Sequence, residues 1–176
     1  RTGGPEQKTI IFCARDSHAD KVSTALNNLY AKWCRDNEVK QLQPYAFKCT
    51  AASSGNDQLA DLRGASRSHF IATTVDLLST GVDVPVIQNI VFFKYVQSPI
   101  AFYQMLGRGT RLHPPSGKLM FRVYDYTDYD NTGTRVSASK AVAMAYGQDT
   151  DQADGGDPIL DTGYTVYPLS QRFLDP

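Results

Sequence analysis

A chain of 176 residues with 41% hydrophobic and 20% charged residues has the size and balance of one globular domain with a real core. No apolar run approaches 18 residues and no signal-peptide pattern opens the chain, so neither a membrane span nor secretion is expected; the place expected is the cytoplasm. Cys13, Cys34 and Cys49 are odd in number and lack close metal-ligand spacing, which excludes a disulfide framework and leaves no metal site to expect.

The chain starts at Arg1 rather than Met, as a piece of a longer protein would. Its net charge of zero hides an asymmetry. Residues 1–126 carry 15 Lys+Arg against 10 Asp+Glu, a balance of +5, whereas residues 127–176 carry 3 against 8, a balance of −5. The front part suits nucleic acid and the back part repels it.

In chain order, residues 1–7 are polar with Gly3, Gly4 and Pro5 and read as a linker. Lys8 to Cys13 is a short, β-branched apolar run, the mark of a buried strand, with Cys13 as a small core residue. A helix follows, with Asp16 or Ser17 available to cap it and Val22, Ala25, Leu26, Leu29, Tyr30 and Trp33 as its apolar face. Tyr45 to Thr50 reads as a second strand, and Gln58 to Ala65 as a weak helix.

His69 to Thr73 is a third strand, Val75 to Leu78 a helical turn, and Val86 to Phe93 a fourth strand. Ser98 caps and Pro99 opens the next helix, and Pro114 and Pro115 prevent its continuing. Lys118 to Asp125 is a fifth strand. Apolar strands alternating with helices predict an α/β fold, a parallel sheet with helices on both faces. From Thr127 the pattern fades, with a short helix over Ser137 to Tyr146 and an acidic, Gly-rich connection over Asp149 to Gly163.

The densest chemistry lies in Gln104-Met-Leu-Gly107-Arg108-Gly109-Thr110-Arg111. On a continuous helix Gln104, Arg108 and Arg111 fall at i, i+4 and i+7 and share one face. Two guanidiniums side by side call for an anion, and a polyphosphate fits. Gly107 and Gly109 let a backbone or ligand come close.

Three stretches resemble, in order, motifs of the second motor domain of superfamily-two helicases and translocases: Thr9 to Arg15 motif IV, Ile71 to Pro85 motif V, and Gln104 to Arg111 motif VI. The match spans residues 8–126. Leu77 to Pro85 and Gln104 to Leu112 are worded most like the motor subunit of type I restriction enzymes.

The resemblance implies a RecA-like helicase C-terminal lobe over 8–126 and an acidic extension over 127–176 leading to a further domain. It also implies ATP and magnesium held mainly by a first RecA-like lobe of the same polypeptide. This chain lacks the Gly-x-x-x-x-Gly-Lys-Ser/Thr phosphate loop, so it would bring the closing face. Arg108 and Arg111 match the arginines that reach the γ-phosphate, and Gln104 the glutamine near the triphosphate. Gly81 and Asp83 match the motif V pair, Asp83 suited to accept from a ribose hydroxyl, and Gly107 lies in motif VI on the nucleotide side.

Double-stranded DNA would be gripped by its backbone at strand-end loops, through Arg15, Thr50, Ser53, Ser54, and Thr73 or Thr74. Modification and specificity subunits of a restriction complex are the further partners implied. The competing readings are a lobe of another superfamily-two repair or restriction helicase, or a non-catalytic module whose arginines hold nucleic-acid phosphates.

Overall fold

The computed structural model describes residues 4–50, 55–76, 84–96, 98–111, 113–116, 118, 121–126 and 164–168. Strands β1 (Thr9–Cys13), β2 (Ala46–Lys48), β3 (Ile71–Thr74), β4 (Asn89–Phe93), β5 (Phe121–Asp125) and β6 (Tyr164–Pro168) form one sheet in the order β2-β3-β1-β4-β5-β6. Every pairing is parallel. From the central β1 the chain winds first towards β2 and β3, then crosses to β4 and outward, a doubly wound course. The strand Tyr164–Pro168 was not among the five that hydrophobic pattern marks out; it extends the sheet beyond β5.

Alternation along β1 sorts the core into two layers. Ile10 and Phe12 face one side, with α2 (Gly55–Gly64) and α3 (Pro99–Gly107) supplying Leu59, Leu62, Phe102, Met105 and Leu106. Ile11 and Cys13 face the other, covered by α1 (Asp16–Asp36) through Ala19, Tyr30 and Cys34. All three cysteines are buried free thiols, and burial pushes Cys13 up to about 12 and Cys49 to about 11, so these two stay protonated and inert.

The apolar face of α1 differs from the one its hydrophobic spacing indicates. The buried residues are Ala19, Ser23, Tyr30 and Cys34, with Val22 and Leu26 partly covered, while Leu29 is 62% exposed and Trp33 39%. Small side chains at 19, 23 and 34 let the helix lie close on the sheet. Polar Ser23 and Asn27 on the inward face are what mask it in a hydrophobicity pattern.

Both residues are satisfied there. Ser23 Oγ donates to the Asp20 carbonyl at 3.0 Å. Asn27 treats β2 as a neighbouring strand would: its Nδ2 donates to the Ala46 carbonyl at 2.8 Å and its Oδ1 accepts from the Ala46 amide at 3.0 Å. One side chain thereby pairs both outward backbone groups of Ala46 on the edge strand. Asn27→Leu is expected to destabilise the chain by about 2–4 kcal/mol, the penalty for leaving two buried backbone groups unpaired. Urea unfolding measures it, and a loss below about 0.5 kcal/mol would show that the edge is satisfied without Asn27.

The cap of α1 also differs. Arg15, not Asp16 or Ser17, occupies the N-cap, extended at φ −156° and ψ 167°, with no side-chain cap. Asp16 has another task. Its carboxylate accepts from Lys48 Nζ at 2.9 Å and from Thr50 Oγ1 at 2.6 Å, and Lys48 reaches Asp20 at 2.9 Å as well. Asp16 and Asp20 therefore tie β2 to the start of α1 rather than serving as plain surface charge, as Asp36 does in its exposed pair with Lys32.

Candidate nucleotide and nucleic-acid sites at opposite ends of the sheet

α3 begins as its sequence indicates: Ser98 Oγ accepts from the Ala101 amide at 3.3 Å and Pro99 opens the helix. It ends earlier than the Gln104, Arg108, Arg111 spacing suggests. The last helical residue is Gly107; Arg108 is the C-cap, and Arg111 lies in irregular chain beyond the turn. The turn is closed by the Arg108 amide on the Met105 carbonyl at 3.2 Å and the Gly109 amide on Leu106 at 2.8 Å. Thr110 Oγ1 caps the Gly107 carbonyl at 3.1 Å. The three side chains thus do not share one helix face: Gln104 is exposed on α3, Arg108 is half-buried at its end and Arg111 is exposed after it.

Gly109 fixes this turn. A Cβ there would stand 2.4 Å from Phe121 Cδ2 and 2.8 Å from Ile90 Cδ1, so the backbone lies directly on β4 and β5. Among the described residues nothing lies within 4 Å of a Cβ at Gly107, which leaves that position open to an incoming group. On the other side of the turn, the ammonium of Lys118 donates to the Gly109 carbonyl at 2.9 Å and to the Pro85 carbonyl at 2.8 Å. Nothing in the residue pattern distinguishes Lys118 from a surface lysine, yet it is 2% exposed.

A helix that connects two parallel strands runs back against them, so the end of α3 lies at the N-terminal end of the sheet. Arg108, Arg111, Gly109, Pro85 and Lys118 gather there. Gly81 and Asp83 precede this point in the chain but lie outside the described residues.

Of the residues expected to hold DNA, the described ones, Arg15, Thr50, Thr73 and Thr74, lie at the other end, roughly 17 Å away along a five-residue strand. Arg15 follows β1; its side chain is exposed, and its carbonyl accepts from His18 and Ala19 at 3.1 and 3.0 Å. His18 packs on Phe93 and accepts from the Ala14 amide at 3.3 Å, and burial with the nearby charges of Arg15 and Lys21 lowers its pKa, keeping it neutral.

Thr50 ends the second strand region with its hydroxyl donated to Asp16, whose carboxyl is held below its usual range by that bond and by Lys48. An anion therefore sits beside Thr50. Thr73 is fully buried and its hydroxyl donates to the Ala19 carbonyl at 3.0 Å and towards Phe47 at 3.3 Å, pinning α1 and β2 to β3. Thr74, also fully buried, has a hydroxyl without a hydrogen-bond partner among the described residues. Ser53 and Ser54 lie outside them.

With this geometry in place, comparison with known proteins gives the class. The profile of the helicase conserved C-terminal domain matches residues 3–113, and the chain belongs to that family. Its fold is the RecA-like C-terminal lobe of superfamily-two helicases.

Its relatives are more particular. It is 35% identical over 143 residues to the type I restriction enzyme EcoKI endonuclease subunit of Escherichia coli strain K12, covering 78% of this chain and 12% of that protein. It is 36% identical over 124 residues to the EcoAI endonuclease subunit of Escherichia coli, covering 69% of this chain and 15% of that protein. A solved fragment assigned to the HsdR subunit of a type I restriction enzyme from Vibrio vulnificus YJ016 superposes with a TM-score of 0.66 at 29% identity, over 96% of this chain and 29% of that one. The chain thus spans under a third of the length of these relatives. No helix among the described residues is long and apolar enough to cross a membrane.

Proposed function

We propose that this chain is the second motor lobe of an ATP-dependent double-stranded DNA translocase, the R subunit of a type I restriction endonuclease. The observation that carries this is the turn at Gly109, held between β4, β5 and Lys118, which presents Arg108 and Arg111 beside the chain leading in from Asp83. Guanidiniums on a fixed turn suit the terminal phosphate of a nucleotide, where they would neutralise charge that develops on its oxygens. Gln104 on the exposed face of α3, the open position at Gly107, and Gly81 with Asp83 complete the nucleotide side of the proposal.

Magnesium and the phosphate loop are assigned to a first lobe of the same polypeptide, as the motif resemblance implies for a sequence without Gly-x-x-x-x-Gly-Lys-Ser/Thr. Bound ATP would supply a β–γ phosphoanhydride bond whose cleavage passes the γ-phosphoryl group to water and releases ADP; this lobe would supply charge and closure.

DNA backbone is assigned to the C-terminal end of the sheet. Arg15 offers an exposed guanidinium at a helix start, where the dipole adds to its charge. Thr73 is assigned to holding the fold; the phosphate contact is assigned to Thr74, whose hydroxyl has no partner among the described residues but is fully buried, so local movement has to uncover it before it meets a phosphate. Thr50 is the weaker member because of Asp16, and Ser53 and Ser54 remain part of the same grip.

Two ligands at opposite ends of one lobe suit a motor, in which closure on nucleotide moves the DNA-holding end. We take 8–126 as the lobe and 127–176 as the acidic connection to a further domain, with Tyr164–Pro168 returning to the sheet. Modification and specificity subunits and a cytoplasmic location complete the reading. The test is ATP turnover by the full-length protein with and without linear duplex: stimulation by DNA that Arg108→Ala removes, with DNA binding retained, supports it. Turnover indifferent to both contradicts it.

A further inference from the structure

We infer that Lys118 is a positioning residue whose buried ammonium ties the arginine-bearing turn to the chain that enters β4, so that the two nucleotide-facing segments move as one. This rests on the reading of Arg108 and Arg111 as phosphate-facing.

Burying an ammonium is costly, and a lysine in a core persists only where its donors are matched. Here Nζ meets two carbonyls, Gly109 at 2.9 Å and Pro85 at 2.8 Å, from segments 24 positions apart in the chain. The stem starts from a fixed point, because the Lys118 amide donates to the His113 carbonyl at 3.2 Å and its carbonyl accepts from the His113 amide at 3.2 Å. Gly109 is therefore gripped on both sides, by the close approach of Phe121 and Ile90 to its α-carbon and by a charged donor on its carbonyl. Arg108 immediately precedes that residue and Arg111 follows it two positions on.

Pro85 stands two residues after Asp83, and the Val84 carbonyl accepts from the Ile87 amide at 3.2 Å to form a turn there. Displacement at either segment reaches the other through one atom. A neutral side chain of the same length fills the space but leaves both carbonyls without this donor.

The experiment uses the full-length protein. Lys118→Met keeps the stem and removes the charge; Lys118→Gln keeps a donor for one carbonyl. Hydrogen exchange is followed over residues 84–87 and 107–111, and DNA-stimulated kcat and the KM for ATP are measured in native and Arg108→Ala backgrounds.

In Lys118→Met the two segments are expected to lose protection together, and kcat to fall on the order of 10–100-fold, the scale of a misplaced catalytic group. Duplex affinity should stay unchanged, Lys118→Gln should be intermediate, and in the Arg108→Ala background the lysine substitution should add little. An unchanged kcat, or a loss that multiplies in full on top of Arg108→Ala, overturns the inference and makes Lys118 a plain core residue. Normal turnover in Arg108→Ala itself would defeat the arginine reading instead, and the exchange data alone would then judge the tether. In the unmodified protein the two segments should open at a common rate; independent rates overturn the tether even where the variants do not fold.

Discussion

Arg108→Ala or Arg111→Ala in the full-length protein is expected to lower DNA-stimulated ATP turnover by about 10³–10⁵-fold, the range lost when a phosphate-reaching arginine is removed. The argument is electrostatic. Charge develops on the transferred phosphoryl oxygens, and a guanidinium already in place stabilises it without reorganisation. On the proposal the site opposite them lies on another lobe, so neither side chain would need to support this lobe's core to act.

Arg111 is exposed beyond the end of α3, so its removal should leave the unfolding free energy within about 0.5 kcal/mol of the native value. Duplex binding should survive, because Arg15, Thr50 and Thr74, among the residues assigned to it, lie at the other end of the sheet. Arg111→Lys, which keeps charge but not the planar fork, should recover only part of the rate. Near-normal turnover in both alanine variants would remove the assignment.

Gly109→Ala is the second large effect. The new methyl would lie 2.4 Å and 2.9 Å from Phe121 ring carbons and 2.8 Å from Ile90 Cδ1. Neither neighbour gives way easily, since Ile90 is fully buried in β4 and Phe121 is held in β5. Overpacking of this kind costs about 1–3 kcal/mol, and the turn itself is the movable part. Turnover should fall on the order of 10²-fold as both arginines shift. Gly107→Ala is the contrast: its methyl meets nothing within 4 Å among the described residues, and alanine in a helix is favoured over glycine by about 0.5–1 kcal/mol. A stable Gly107→Ala that still loses turnover would show that a ligand approaches there. Equal stability of the two variants would show that the Gly109 turn relaxes freely.

The parallel sheet was legible because buried parallel strands are short apolar runs; β1, β4 and β5 each fall within one, and β3 passes the end of its run by one residue, Thr74. Ser98-Pro99 marked the start of α3 for a chemical reason that the capping bond bears out. The end of α3 was misread because i, i+4, i+7 spacing looks helical whether or not the helix persists; Gly107 and Gly109 were the available stop signals. The inward face of α1 was hidden by Ser23 and Asn27, polar residues that are satisfied only once β2 is beside them. Lys118 was invisible for the same reason, since its two acceptors are distant in sequence. Of the proposed site, Arg108 and Arg111 came from motif and were placed by geometry. The division of the site between the two ends of the sheet came only from topology.

The central claim is that this lobe carries half of a nucleotide site, and titration of a fluorescent ATP analogue into the isolated chain tests it most directly. Without the first lobe, any contact of Arg108 or Arg111 with the nucleotide is made next to solvent, where each charge pair is worth about 1 kcal/mol or less. Binding should be in the millimolar range, on the order of −4 kcal/mol, and should weaken as salt rises from low to physiological. Labelled duplex should bind weakly too, losing about 0.9 log units of affinity per log unit of salt for each phosphate neutralised. Micromolar, salt-insensitive binding of the ATP analogue would mean that the chain holds a complete nucleotide pocket, and would contradict the account.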